Sequence, residues 1–597
     1  MTAATVSIIL LLGAATCVSA SFFSSSNEAE CEMYLAPSHL KNAASHGFGL
    51  GIFTGKQIHK GEVLTDLREI LIPLYDSATL DANHPPLREY LWPAVGCVPE
   101  LAVHSKDRTK AFWFGGGISS MAPCTSLNFN VEISAGGNFA GAPRWSAAED
   151  SDGVPSRENP HAGSYSYRHG MTYIAARDIL PGEELVVDCS DDNFDNLSLQ
   201  NYKRINSYKP NDDSYMCLDN VNIGETQVQN AGKGLVAAKS IAKDDIVLSS
   251  PVVPIHRRDL TGDGTGKTAP SGINNYQLML NYAFGDDDSD LLLLPYGPYV
   301  NYINSSGGAA KQKANAVLRW HKTGEKEMEA PRRLQFHHHE LFSEYAKAVT
   351  ETHGKGLVID IVALENIGKG EEIFLDYGEA WTKAYEDHVR RYQPPSDAST
   401  YLTADQWFHS KLNPHPEYLK TVEELKSDPY PDNLQTVCYF DSDANVERVD
   451  KETNTIYAVW EDESLPHECI RPCTILERYP DPDPEYAGQM LYTTEMMHFE
   501  GEEHYWFCNL KFPGRHIARD VNYDGILILD KPYTHDMFLD QAFRHEIGVP
   551  DGFYPKEWMR SKVRRVEQEP TRSDVGDEFR RKKTDVVYSR KAPKEEL

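Results

Sequence analysis

Short alternating runs, rather than helical stripes, dominate the apolar pattern of this chain. "GIFTGKQIHKGEVL" (51–64) and "GLVAAKSIAKDDIVL" (234–248) each read as two strands around a polar turn. "GEELVVDC" (182–189) and "GEEIFLDY" (370–377) read as glycine-led strands rich in β-branched and aromatic residues. Further on, "QTVCYFDSDANVERVDKETNTIYAVWEDE" alternates like a strand pair around a polar turn, and "MLYTTEMMHF" and "GILILDKPY" add strands. A helical expectation attaches to an insertion over 320–355, with "HHHELFSEYAKAVTETHG". The pattern predicts an α+β chain that is predominantly β. Its last part is a small β-rich module over 430–560, beyond a linker at Gln393–Thr400. The tail 561–597 is charged, lacks apolar periodicity and is expected to be disordered.

Several of these runs occur twice. "IAARDILPGEELVVDCSDDNF" (174–194) matches "VALENIGKGEEIFLDYGEAW" (362–381) from Ile174/Val362 to Asp188/Asp376. The next position breaks the match, with Cys189 against Tyr377. Gly49-Leu50-Gly51 matches Gly232-Lys233-Gly234, and Ile58 matches Ile241. Between opening and close, "SLNFNVEI" faces "KANAVLRW", which sets Asn128 opposite Asn315. Self-similarity at this distance predicts two duplicated units, 31–200 and 217–395. A solenoid would repeat every ~20–50 residues.

Charge and termini narrow the setting. A net charge of −30 argues against a nucleic-acid surface, which needs clustered Lys and Arg to displace counterions. An acidic surface suits a Lys-rich protein partner. The apolar run Val6–Ala15, followed by Val18-Ser19-Ala20, reads as a signal peptide over 1–20. It is too short for a membrane span of ~20 residues, and no stable membrane anchor is expected. The final Lys594-Glu595-Glu596-Leu597 is one conservative step from an endoplasmic-reticulum retention signal. The expected location is therefore the lumen of that compartment, with secretion or plastid import as alternatives. Ten cysteines, nine without Cys17, suit a place where disulfides form, though spacing does not give their pairing. Asn196-Leu197-Ser198 and Asn304-Ser305-Ser306 are glycosylation sequons.

The opening Gly-x-Gly, a central Asn-containing turn and the closing "GEEIFLDYG" together resemble the SET domain of protein-lysine methyltransferases, in two tandem copies followed by the β-rich module. The whole arrangement is similar to multi-domain SET proteins of algae. The resemblance implies S-adenosylmethionine as cofactor, approached by the Gly-x-Gly backbone and by the first Asn of the central motif. It also implies a closing Tyr hydroxyl beside the methyl-transfer channel. Carried over to the second unit, the cofactor-binding residues are Gly232, Gly234, Asn304 and Asn315, and the catalytic residue is Tyr377. Ser305 and Ser306 stand where the family has His-Ser, and an insertion replaces its Cys-x-Pro spacing. In the first unit Pro123-Cys124-Thr125 occupies the place of Asn-His-Ser, and Cys189 that of Tyr. A thiol cannot set a hydroxyl at the end of an aromatic ring. That unit is accordingly expected to be a structural or substrate platform. The implied function is lysine N-methylation of secretory-pathway proteins by the second unit. The alternative is a non-catalytic client-binding scaffold on decayed SET folds. A glycan on Asn304 would block the pocket, so either that residue is buried or the unit is not an enzyme.

Three other constellations carry less. His467, Cys469 and Cys473 with Cys438 and Cys508 have loose zinc spacing, and a disulfide or free thiols are preferred. His337-His338-His339 reads as a solvated loop, and "FGDDDSD" lacks the carboxylate spacing of a calcium loop. No metal is expected.

Overall fold

The computed structural model describes residues 31–38, 50–64, 69–74, 91–93, 112–123, 129–134, 156–166, 172–188, 215–229, 231–257, 260, 277–307, 312–321, 357–404, 406–407, 419–439, 446–459, 470–486, 488–496, 515–531 and 533–560. The expected signal peptide, the bulk of the 320–355 insertion, Cys124, Asn128, Cys189, the Asn196 sequon and the charged tail lie outside them. Strands dominate what is described, in keeping with the β-rich pattern of the sequence.

The second unit is built on a six-stranded sheet. Its order is Ala316–Trp320, Leu357–Ala363, Ile246–His256, Leu291–Pro295, Phe284–Gly285 and Ile547–Gly548. Leu291 to Leu294 have no exposure at all, because both faces of this central strand are covered. Each such side chain contributes roughly 1.5–3 kcal/mol of transfer free energy. In the first unit a three-stranded sheet has the same succession: Leu71–Leu74, Phe112–Gly115, Leu91–Pro93. One hydrophobic core runs through both units.

Equivalent backbone pairings occur in the two halves. Phe53 bridges Glu184 as Val236 bridges Glu372, and Ile58 bridges Ile179 as Ile241 bridges Ile367. Leu185 N donates to Ile52 O, and Ile373 N to Leu235 O. One residue of the expected alignment moves. Asn130, not Asn128, takes the place of Asn315. Its amide bonds Glu184 O and Val186 N, as that of Asn315 bonds Glu372 O and Phe374 N.

The β-rich module is a seven-stranded sheet, Val446–Asp450, Thr455–Val459, Arg515–Val521, Met490–Met496, Ile470–Pro480, Leu434–Tyr439 and Ile526–Asp530, with a core of its own. It ends near Asp530 rather than 560. Residues 533–560 leave it and return to the six-stranded sheet, where Ile547–Gly548 pairs in parallel with Phe284–Gly285 and Trp558 is buried in the shared core. Cys438 and Cys473 form a disulfide, so neither thiol is available to zinc. A second disulfide joins Cys31 to Cys217 at the head of each unit. The acidic "FGDDDSD" turn is tied to arginines, with Asp290 Oδ1 2.9 Å from Arg560 Nε.

Candidate active site

A cavity of about 590 Å³ lies between the Gly232 turn, the central segment Val300–Gly307, the closing segment at Leu375–Tyr377 and the helix Gly378–Arg391. Tyr299, in the left-handed region at φ 70°, turns the chain into the short helix Val300–Tyr302 and delivers Asn304 to the cavity wall. Asn304 and Ser305 then pair in parallel with Phe374 and Leu375. The Asn304 amide nitrogen faces three acceptors: Thr226 Oγ1 at 3.0 Å, Lys233 O at 3.1 Å and Glu372 Oε1 at 3.1 Å. Glu372 also accepts from Thr226 Oγ1 and Gln227 N. Opening strand, central turn and closing strand are thus tied by one buried carboxylate. With its nitrogen engaged this way, Asn304 serves the wall and is not free to carry a glycan.

Tyr377 stands at the end of the closing strand, and its hydroxyl donates to Ile303 O. Burial, with Tyr282 adding to it, pushes the hydroxyl pKa well above the usual phenol value, so the group stays neutral. Beyond it, positions 377, 381, 385 and 388 fall on one helical face by their spacing of four and three. The Trp381 ring meets Tyr377 edge-on at 5.0 Å and stacks on Tyr385 at 5.2 Å, while Phe543 closes on Trp381 edge-on at 5.4 Å. Burial raises Tyr385 to about 12. It lowers His161 to about 4, with the neighbouring His388 adding to the effect.

Of the residues singled out from the sequence, Gly232, Asn304 and Tyr377 line this cavity. Gly234 and Asn315 do not, and each has a structural reason to be what it is. A Cβ at Gly234 would run into the Glu372 carboxylate. Asn315 clamps the closing strand from behind through Glu372 O and Phe374 N. Gly232, at φ +74°, needs glycine for its backbone. Sequence reasoning passed over Glu372 and Thr226, although the repeated Glu-Glu pair was a signal. It also passed over two walls from elsewhere in the chain: Phe543 and Ile547, and the segment holding His161 and Tyr165.

The model of the SET domain family matches residues 232–378. Among solved structures, a candidate histone methyltransferase from Plasmodium falciparum is 19% identical, with 28% of this chain and 98% of that chain covered at a TM-score of 0.16. Polycomb repressive complex 2 of Chaetomium thermophilum bound to GSK126 is 19% identical over 27% of this chain and 16% of that chain, at a TM-score of 0.17. The chain therefore spans only a small part of that polycomb chain. No curated protein matches the chain. Its residues 232–378 are a SET domain.

Proposed function

We propose that the chain is an S-adenosylmethionine-dependent protein-lysine N-methyltransferase that works through its second unit on proteins of the secretory pathway. The observation that carries this reading is the meeting of Gly232, Asn304 and Tyr377 on one cavity within the SET segment. The cavity volume lies within the ~300–1,000 Å³ common for small-molecule sites. The Gly232 turn, Asn304 and the Trp381 ring fit the cofactor and would hold it. When bound, it supplies an electrophilic sulfonium methyl.

The chain's own residues do the rest. The rings of Tyr282, Tyr377, Trp381, Tyr385 and Phe543 make one part of the cavity apolar, and there an ammonium is disfavoured and the lysine side chain is favoured as the neutral amine. The Tyr377 proton is committed to Ile303 O, which leaves only lone pairs to face the cavity. With its raised pKa the hydroxyl orients and accepts, and it does not remove the lysine proton. Proximity and orientation supply most of the acceleration.

The first unit serves as a second, non-catalytic SET-like platform; the matched pairings of the two halves and Cys189 in place of Tyr support this. The secretory setting is supported by the apolar run Val6–Ala15 with the small-residue pattern after it and by two disulfides among the described residues. Among those residues no helix is long and apolar enough to cross a membrane. Lys-rich clients suit the net charge of −30.

The test is transfer of labelled methyl from S-adenosylmethionine to polylysine and a histone mixture, alongside calorimetric binding. Wild type is expected to bind and transfer. Tyr377→Phe is expected to bind within about twofold and to transfer about a hundredfold more slowly, since misorientation alone costs that much. A folded wild-type chain that binds no cofactor leaves the scaffold reading in its place.

A further inference from the structure

The cavity of the second unit is walled in part by the first. Residues 156–166 lie in the first unit, far from the SET segment in sequence, yet their side chains reach the same cavity. The Tyr165 ring covers the Gly232 turn: a Cβ added at Gly232 would stand 3.0 Å from Tyr165 Cε2. Ser166 N donates to the Tyr282 hydroxyl at 2.7 Å, and Asn281 Nδ2 donates to Ser164 O at 2.6 Å. His161 Nε2 is 2.5 Å from the hydroxyl of Tyr385, the ring stacked on Trp381.

Arg157 fastens this segment. Its side chain is almost wholly buried, with Nε 2.6 Å from Asp536 Oδ1 and Nη1 2.7 Å from Asp397 Oδ2. Its guanidinium lies 3.1 Å from the centroid of the Tyr401 ring, and Nη2 donates to Thr534 O. One cation thus joins the first unit, the linker after the SET helix and the returning segment 533–560. Removing it would leave Asp536 buried without its cation, a strongly destabilising arrangement. Buried ion pairs of this cost are weak evidence for stability and better evidence for fixed geometry.

We propose that Tyr165 is a cofactor-contacting residue of the second unit's cavity and that Arg157 is the residue that positions it. This rests on the reading of the cavity as an S-adenosylmethionine site. An aromatic ring beside a glycine turn, on the wall of a cavity, suits a ligand with both planar and cationic parts. The first unit then completes the binding site, in addition to any role as a platform.

The experiment is calorimetric titration of S-adenosylmethionine into the full chain as wild type, Tyr165→Leu, Tyr165→Phe, Arg157→Ala and the double variant Arg157→Ala/Tyr165→Leu. Thermal unfolding of each is followed in parallel. Tyr165→Leu fills the wall without a ring and is expected to weaken binding about tenfold, the equivalent of about 1.4 kcal/mol. Tyr165→Phe restores the ring and is expected to bind within about twofold of wild type. Arg157→Ala is expected to weaken binding to a similar extent, with no further loss in the double variant, because both changes remove the same contact. Wild-type affinity in Tyr165→Leu overturns the proposal and leaves the methyltransferase reading standing. Additive losses in the double variant overturn the positioning role of Arg157. A folded wild type that binds no cofactor overturns both the proposal and the reading beneath it.

Discussion

Glu69 is fully buried in the first unit, where it accepts from Ser119 N and Ser119 Oγ with one oxygen and from the Tyr173 hydroxyl with the other. Burial raises its pKa from 4.5 to about 7, and those hydrogen bonds pull the other way without prevailing. A raised carboxyl pKa means the folded chain keeps a proton that the unfolded chain has released. The stabilisation is complete below pH 4.5 and is lost as pH rises through about 7. His161 works in the opposite sense: its pKa falls from 6.5 to about 4, so its contribution is intact above pH 6.5 and is lost as pH falls toward 4. Denaturant midpoints of wild type and Glu69→Gln, measured from pH 5 to 8, separate the Glu69 share. At about 1.4 kcal/mol per pKa unit the wild type is expected to lose roughly 3 kcal/mol that Glu69→Gln, which cannot ionise, does not lose. Parallel curves for the two proteins would rule this out.

A strand is held here as much by an amide side chain as by a neighbouring strand. Asn315 satisfies Glu372 O and Phe374 N together, and so fixes the register that brings Tyr377 to the cavity. Asn315→Ala strands two backbone groups at roughly 1–3 kcal/mol each. It is expected to lower stability by about 2–4 kcal/mol and to weaken cofactor binding. Asn315→Asp keeps the acceptor toward Phe374 N and should fall between the two. Full affinity in a destabilised Asn315→Ala would show that register and site are not coupled. The same clamp explains what the sequence could disclose. The duplicated "GEE" strands and the Gly-x-Gly turns were legible, since their alternation and glycines are local. Asn128 and Asn130 are two apart in sequence, and a pattern of period two cannot choose between them. Gly234 reads as an approach site for a ligand because the carboxylate of Glu372 that fills the space above it is brought there only by the fold. Tyr165 and Phe543 were invisible for the same reason.

Among the described residues the two largest hydrophobic cores are one shared by both units with residues 537–558 and one in the seven-stranded module, with a smaller cluster of Cys31, Tyr34, Ala36 and Phe53 apart from them. The chain passes from the first core to the second and back, so the module is inserted between the SET helix and the strand Ile547–Gly548 that completes the SET sheet. Gly548 N donates to Tyr377 O, which places the returning segment against the backbone of the candidate catalytic residue. An inserted module with its own core can unfold while the sheet around it holds, provided both ends of the insertion stay anchored. The Arg157 contacts to Asp397 and Asp536 lie close to those two ends. The Cys438–Cys473 disulfide closes a loop with a sequence separation of 35 inside the module alone. Replacing both cysteines by serine is expected to cost the module about 3–4 kcal/mol by loop-closure entropy. Calorimetry of the full chain should then show one transition moved down and the other unmoved, with S-adenosylmethionine affinity retained. A single transition that shifts as a whole, with affinity falling alongside it, would mean that the module and the SET sheet fold as one unit.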